Sequence, residues 1–230
     1  MPVNIRERFE RKLNDLRDRI LHVGSLVEQQ MTLAQSAFEG LDRGLAHEVY
    51  VLDEKVNAAR FEIEDLCLQL IVTQQPMARD LRLIVAAMNM VVDLERMGDQ
   101  AKGIAKVIPH LREHLDLPKP PELREMAIMA RSMISQAMEA YATGNVDLAA
   151  SIPPRDDDVD KLYAKVFTQV MYMMTEVKDP QEAEATYELL RVARELERYA
   201  DLATNVAERV IFMATGHMIE TNVDREDAAE

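Results

Sequence analysis

Apolar residues recur at three- and four-residue intervals along most of the chain, a spacing typical of amphipathic helices that pack against one another. Glycine and proline fall mainly between the periodic stretches, where they would end helices. A content of 15 Met, 7 Gly and no Trp also favours long helices over sheet. The pattern predicts an all-α protein with six long helices, at residues 5–40, 45–73, 77–108, 121–143, 146–177 and 180–215.

The six helices form two sets of three that resemble each other in sequence. Asp53–Asn57 precedes Asp156–Asp160 by 103 residues, and Asp93–Asp99 precedes Glu195–Asp201 by 102 residues. This self-similarity indicates an internal duplication, and each copy would fold as a three-helix bundle. Four prolines separate the copies, and proline is excluded from helix interiors. We predict a first repeat at residues 1–108, a Pro-rich linker at 109–120, a second repeat at 121–216 and a mobile tail at 217–230.

The charge of the chain excludes some classes of function. With 41 acidic and 27 basic residues it lacks the basic surface that nucleic-acid binding requires. The longest apolar run, Leu83–Val92, is about half of the roughly 20 residues that span a bilayer. The charged N-terminal stretch does not resemble a secretion signal, so we expect a cytoplasmic protein without membrane insertion. The single cysteine, Cys67, is expected to be a buried apolar residue.

Candidate chemistry lies in acidic pairs on the third helix of each repeat. Residues four apart share a helix face, so Glu95 and Asp99 point the same way, as do Glu197 and Asp201. The first pair continues a stripe that we expect to face the core, whereas Asp93 falls outside this stripe and is expected to be solvated. The stripe consists of Leu81, Val85, Met88 and Val92.

The middle helix of each repeat adds a second polar pair. Asp156 and Asp160 continue the apolar line of Tyr163, Phe167, Val170 and Met174, and Asp53 and Asn57 are in phase with Val49, Leu68 and Ile71. Buried carboxylates that meet without a cation repel one another, and a bound metal would relieve that repulsion. Oxygen ligands favour Mg, Mn, Ca or ferric iron, and zinc is also compatible. The predicted metal ligands are Asp53, Asn57, Glu95, Asp99, Asp156, Asp160, Glu197 and Asp201.

Two substitutions predict a weaker metal site in the first repeat, where Asn57 stands for Asp160 and Gly103 stands for Asn205. The alternative to a metal is structural, because interhelical ion pairs could neutralise the acids. The arginines available for such pairs are Arg96, Arg194 and Arg198. A metal-dependent hydrolase or oxidase that uses the same carboxylates is a further alternative, although well-placed His ligands are missing. A third alternative is a scaffold protein whose acidic residues only set the register of the helices.

Several motifs of the chain resemble those of the PhoU family of phosphate-signalling regulators. The first is QQPMARDLR at residues 74–82, followed by DLERMGD at residues 93–99. The second copy is LERYAD at residues 196–201, followed by TNVA at residues 204–207. The resemblance extends from the Arg-x-x-Phe segment at Arg6 and Phe9 to Gly216.

The resemblance implies a non-enzymatic regulator of phosphate uptake built from two three-helix bundles. Family members are thought to connect the ATPase subunit of the phosphate transporter to a sensor histidine kinase, so that the phosphate regulon is switched off when phosphate is plentiful. They commonly form homodimers. Their Glu/Asp-x-x-x-Asp motifs are associated with metal clusters of Fe, Mn, Mg or Zn type on the bundle surface. Asn57 departs from this acidic pattern.

Overall fold

The computed structural model describes residues 5–217 and contains helices and turns, with no strand in this range. The tail predicted at residues 217–230 lies, from residue 218 onwards, outside the described residues. The all-α architecture with two tandem three-helix repeats is confirmed. Its helices are α1 Ile5–Gly40, α2 Arg43–Gln74, α3 Arg79–Leu111, α4 Glu122–Thr143, the short α5 Val146–Ala150, α6 Asp156–Glu176 and α7 Pro180–Thr215.

Local sequence explains where most helices begin and end. Asp42 accepts hydrogen bonds from the backbone N–H groups of Gly44 and Leu45 and so caps α2, and Asp179 caps α7 ahead of Pro180 in the same way. Gly144 and Gly216 end α4 and α7 with positive φ angles of 67° and 80°, a conformation that glycine adopts without strain.

Two predicted boundaries are wrong. α3 continues through Pro109 to Leu111, so the first residues assigned to the linker are helical. Pro109 has no N–H to donate to the carbonyl oxygen of Ala105, so its cost is confined to one backbone hydrogen bond near the end of α3. The predicted helix 146–177 is interrupted, because Pro153 and Pro154 form a 3₁₀ turn with Arg155 between α5 and α6.

The stripe predicted to face the core on α3 is not the buried face. Leu81 and Val85 are each 37% exposed, whereas Ile84, Val91 and Leu94 are fully buried. α3 packs against α1, α2 and α7, so it is apolar on more than one side, and periodicity alone does not select the innermost side.

The two repeats pack together mainly through α3 and α7, with further contacts between α1 and α4. Asp93 on α3 lies within electrostatic reach of Glu208 on α7, and Glu195 on α7 lies within reach of Lys106 on α3. These two contacts are equivalent in the two repeats, because Asp93 and Glu195 are 102 residues apart, as are Lys106 and Glu208. The two central helices are therefore antiparallel and the repeats are related by an approximate two-fold axis.

The segment between the repeats is tied to the end of α1. Lys119 Nζ donates to the carbonyl oxygens of Phe38 at 2.8 Å and Glu39 at 3.2 Å, which are among the last carbonyls of that helix. Cys67 is buried in the first bundle, as predicted. Among residues 5–217, none of the helices combines the length and the apolar character that crossing a bilayer demands.

Candidate metal centre

The acidic residues of the two repeats occupy equivalent positions on equivalent helices but differ in their surroundings. In the first repeat, α2 carries Asp53 and Asn57 and α3 carries Glu95 and Asp99. In the second repeat, α6 carries Asp156 and Asp160 and α7 carries Glu197 and Asp201.

In the first repeat, basic and amide groups neutralise the acids. Lys102 Nζ lies 2.5 Å from Asp53 Oδ2, and this contact raises the pKa of Lys102. Asn57 Nδ2 donates to the same carboxylate oxygen at 3.3 Å, and Gln30 Nε2 lies 3.5 Å from Asp53 Oδ1. Asp53, which is buried, therefore has a donor at both oxygens.

The second acid of this repeat also has a cationic partner. Arg60 Nη1 on α2 lies 3.0 Å from Glu95 Oε1 on α3, and the same guanidinium binds Glu64 at 3.2 Å. The side chain of Glu95 is 17% exposed, so this interhelical ion pair is partly shielded from water.

In the second repeat, the acids face one another. The pKa of Asp156 is raised to about 8, first by burial and then by the negative charge and hydrogen bond of Asp201, with further contributions from Asp160 and Glu197. The pKa of Asp160 and that of Glu197 are also raised, in both cases first by desolvation and also by Asp201. The four carboxylates therefore share one electrostatic environment.

Arg194 is a weak counter-ion for these acids. Its Nη1 atom lies 3.5 Å from Glu197 Oε1, but both residues belong to α7 and the arginine side chain is half exposed. The same guanidinium lies over the ring of Tyr163 at 6.0 Å. Interhelical ion pairs, the structural alternative to a metal, are thus observed in the first repeat, with Lys102 and Arg60 in place of the arginines proposed from the sequence.

Three buried oxygen atoms on α6 and α7 lack a hydrogen-bond partner, which fits a site that binds a cation. They are Asp156 Oδ1, Glu197 Oε2 and Thr204 Oγ1. Asp156 is 6% exposed and Thr204 is fully buried, so water does not readily satisfy them. The residues of the second repeat therefore fit a hard cation by chemistry. They do not form a preassembled cage, since no three Asp, Glu, His or Cys side chains within residues 5–217 are arranged to hold a metal.

The backbone adds another difference between the repeats. Because Pro153 and Pro154 interrupt the helix, Asp156 is the first residue of α6, whereas Asp53 lies inside α2. The N-terminus of a helix favours negative charge, so the dipole of α6 stabilises the carboxylates of Asp156 and its neighbours in the first turn.

Some expectations about burial are wrong. Asp99 and Asp160 are exposed and so do not replace core residues, and Leu68 and Phe167 on the middle helices are also exposed, at 53% and 45%. Asp93, expected to be solvated, is only 7% exposed because it faces α7 of the other repeat. Burial raises its pKa to about 6 despite the attraction of Arg209 and Arg96.

Sequence periodicity did not identify Lys102 or Thr204 as part of the candidate sites. Alignment of the two repeats could have identified them, because Lys102 and Thr204 are 102 positions apart. Lys102 lies three residues after Asp99, and Thr204 lies three residues after Asp201. A lysine replaced by threonine at a position one turn from an acid pair indicates a change in how the acids are neutralised.

Comparison with known proteins agrees with the duplication. The PhoU domain model matches the chain twice, at residues 20–108 and 123–210. The phosphate-specific transport system accessory protein PhoU homolog of Clostridium acetobutylicum is 36% identical, with 94% of this chain and 99% of that protein covered. The protein of the same description from Pseudomonas aeruginosa is 34% identical, with 93% of this chain and 88% of that protein covered.

Solved structures show the same architecture. The crystal structure of PhoU from Pseudomonas aeruginosa has a TM-score of 0.84 and 33% identity, and the similarity covers 91% of this chain and all of that chain. The crystal structure of the phosphate transport system regulatory protein PhoU from Streptococcus pneumoniae has a TM-score of 0.84 and 27% identity, with 92% of this chain and 99% of that chain covered. With both repeats matched by the domain model, the chain belongs to the PhoU family.

Proposed function

We propose that this chain is a non-enzymatic accessory regulator of phosphate transport. The observation that carries the proposal is the similarity of nearly the whole chain, through both repeats, to proteins described as phosphate-specific transport system accessory proteins. An accessory or regulatory description supports a role in binding partners rather than in catalysis. A hydrolase or oxidase that uses the same carboxylates receives no support from these relatives.

The exposed surface of the bundles offers places for partners to bind. Phe61, Leu68 and Val72 lie on one exposed face of α2, at 65%, 53% and 75% exposure. The equivalent helix of the second repeat exposes Phe167 and Met171. Apolar side chains grouped on an exposed helix face are characteristic of protein-binding surfaces.

These faces support an adaptor role, which we propose takes place in the cytoplasm. We propose the ATPase subunit of the phosphate transporter and a sensor histidine kinase as the two partners, and a homodimer as the working form. In this role the chain would switch off the phosphate regulon when phosphate is plentiful. The approximate two-fold symmetry gives the chain two similar surfaces, which suits a protein that contacts two partners.

We further propose a metal ion or cluster of Fe, Mn, Mg or Zn in the second repeat, held by Asp156, Asp160, Glu197 and Asp201. Their mutual repulsion and the unpartnered oxygens of Asp156 and Glu197 support this assignment. A bound cation would neutralise the acids and hold α6 against α7. The corresponding proposal for Asp53, Asn57, Glu95 and Asp99 has weaker support, because Lys102 and Arg60 already contact two of these residues.

The regulatory role can be tested by expressing the chain in a bacterium that lacks its own PhoU protein. We expect the wild-type chain to restore repression of a phosphate-regulon reporter in high phosphate. The Leu68→Glu/Val72→Glu variant should restore it poorly because the exposed face has become charged. Exposed charge changes on α2 away from this face, such as Lys55→Glu, serve as the control. Failure of the wild-type chain to repress, when it is expressed and folded, would contradict the proposed role.

Elemental analysis by plasma mass spectrometry tests the metal. The wild-type protein should carry metal after incubation with Fe, Mn, Zn or Mg, and the Glu197→Ala/Asp201→Ala variant should lose it. If wild type binds none of these metals, the acids of the second repeat are structural and the adaptor role must operate without a metal.

A further inference from the structure

Three differences between the two acid sites make the first site less negative, and one acts in the opposite direction, because Arg194 of the second repeat stands where the first repeat has Val92. The equivalences follow from the offsets of 103 residues between α2 and α6 and 102 residues between α3 and α7. Asn57 of the first repeat corresponds to Asp160 of the second, Arg60 corresponds to Tyr163, and Lys102 corresponds to Thr204. One acid is thus absent and two cations are added.

Both added cations contact the acids of the first repeat. Lys102 Nζ approaches Asp53 Oδ2 at 2.5 Å, and the carboxylate it binds is 3% exposed. Lys102 is also within electrostatic reach of Asp99. Arg60 Nη1 on α2 approaches Glu95 Oε1 on α3 at 3.0 Å. The acid of each helix is therefore paired with a cation from the other helix.

Lys102 reaches the buried acid because it is on the helix opposite Asp53 and has a long, flexible side chain. Its side chain is 27% exposed, so its methylene groups span the boundary between bundle and solvent while the ammonium group meets the carboxylate. Thr204, at the same place in the second repeat, is too short to do this, and its Oγ1 atom has no partner.

A metal in the first site would have to displace these contacts. The ammonium group already supplies the positive charge that a cation would bring, and Asn57 and Gln30 provide donors to the same carboxylate. A metal would be close to both Lys102 and Arg60, and repulsion between like charges would oppose its binding.

We propose that Lys102 and Arg60 are built-in cations that replace the metal in the first repeat, so that only the second repeat binds metal. The part that concerns the second repeat rests on the function proposed above. The first repeat would then be fully assembled whether or not metal is available, and metal would influence only the α6–α7 half of the molecule.

The first test removes the second site and leaves the first one intact. Wild-type protein and an Asp156→Asn/Asp201→Asn variant are incubated with Mn²⁺ or Zn²⁺, desalted and analysed by plasma mass spectrometry. Bound metal should fall to about a tenth of the wild-type amount or less. If the variant retains about half of the wild-type metal, the first repeat binds metal despite its lysine, and the inference is overturned while the proposed metal function stands.

The second test rebuilds the first site in the pattern of the second. Asn57→Asp, Arg60→Tyr and Lys102→Thr are added together to the Asp156→Asn/Asp201→Asn variant, and Lys55→Thr, a change of an exposed lysine on α2, is the control. Metal binding should return to about the wild-type amount in the rebuilt variant and remain absent in the control. A folded rebuilt variant that binds no metal would overturn the inference.

The two proposals can fail separately. If wild type itself binds no metal, the metal function proposed for the second repeat fails, and metal binding by the rebuilt variant still supports the role of Lys102 and Arg60. If the rebuilt variant does not fold by itself, circular dichroism measures whether it folds when Mn²⁺ is added. Folding upon addition of Mn²⁺ supports the inference, and a chain that stays unfolded with Mn²⁺ counts against it.

Discussion

Asp53 and Asp156 are equivalent residues of the two repeats, and both are buried, but Asp53 faces Lys102 while Asp156 faces Asp201. The first carboxylate is neutralised by a group that belongs to the chain. The second is neutralised by a proton, as the pKa of about 8 for Asp156 indicates, or by an added cation. After duplication, the same backbone can therefore hold one polar site that is insensitive to its surroundings and another that responds to them.

The largest expected effect concerns the lysine of the first repeat. Replacing Lys102 by Met leaves Asp53 buried without its counter-ion, and should lower the free energy of unfolding by about 3 kcal/mol. Urea unfolding followed by circular dichroism measures the change. The Lys102→Met/Asp53→Asn variant should recover most of the stability, and Lys55→Met, at an exposed site on α2, should change little. A loss below about 1 kcal/mol for Lys102→Met would show that the pair contributes as weakly as a surface ion pair.

The second effect concerns Gly103, which stands where the second repeat has Asn205. A Cβ atom at Gly103 would lie 2.6 Å from Glu195 Cδ on α7, so any side chain there must push Glu195 away. We expect Gly103→Ala to lower the free energy of unfolding by no more than about 1.5 kcal/mol, because the contacted atoms belong to the end of a flexible side chain that can move and alanine has the higher helix propensity. Glu195→Ala should rescue this variant, because it empties the space.

Gly40→Ala is the matched control for this change. Nothing lies within 4 Å of a Cβ atom built at Gly40, so the substitution should be neutral or slightly stabilising. Equal effects of the two alanines in thermal unfolding would show that α3 and α7 are not in close contact at Gly103.

The fold could be predicted from the sequence because its determinants are local. Apolar spacing marks the long helices, and residues such as Asp42, Gly144, Asp179 and Gly216 end or begin them through contacts with their own neighbours in the chain. The break before α6 is also encoded locally, in Pro153 and Pro154, although helical periodicity continues across it.

The candidate sites could be predicted only in part. The internal repeat identifies Asp156, Asp160, Glu197 and Asp201, and the structure brings them into one electrostatic environment. The partner of Asp53 could not be derived from periodicity, because Lys102 is 49 residues away and reaches it with a flexible side chain. The burial of Asp93 depends on packing against α7 of the other repeat, which the pattern along α3 does not contain.

The next prediction compares Asp53 and Asp156 directly in the presence of a chelator. Asp156→Asn removes one of four carboxylates that repel each other, and should raise the free energy of unfolding by about 1.5 kcal/mol at pH 7. Asp53→Asn removes the partner of Lys102 and should lower it. Both are measured by urea unfolding, and a loss of stability in both variants would contradict the difference between the repeats.

The smallest expected effect concerns Asp93 at the contact between the repeats. Burial raises its pKa to about 6, so the folded protein holds this proton more tightly than the unfolded chain, in which an aspartate titrates near 4. Asp93 therefore lowers stability progressively as the pH rises from about 4 to about 6, and the loss stays constant above that range. Asp93→Asn should be more stable than wild type by about 1 kcal/mol at pH 7.5, because the amide carries no charge to desolvate.

The pH dependence distinguishes this cause from a general effect of the substitution. The stability difference between Asp93→Asn and wild type should shrink to a few tenths of a kcal/mol near pH 4.5, because the folded protein keeps Asp93 protonated there and has recovered most of the stability lost at higher pH. Urea unfolding at a series of pH values between 4.5 and 7.5 measures it. Asp65→Asn, an exposed change on α2, should show no such trend. A variant that is less stable than wild type at pH 7.5 would mean that the attraction of Arg209 and Arg96 outweighs the desolvation of Asp93, which would make this carboxylate a stabilising link between the repeats.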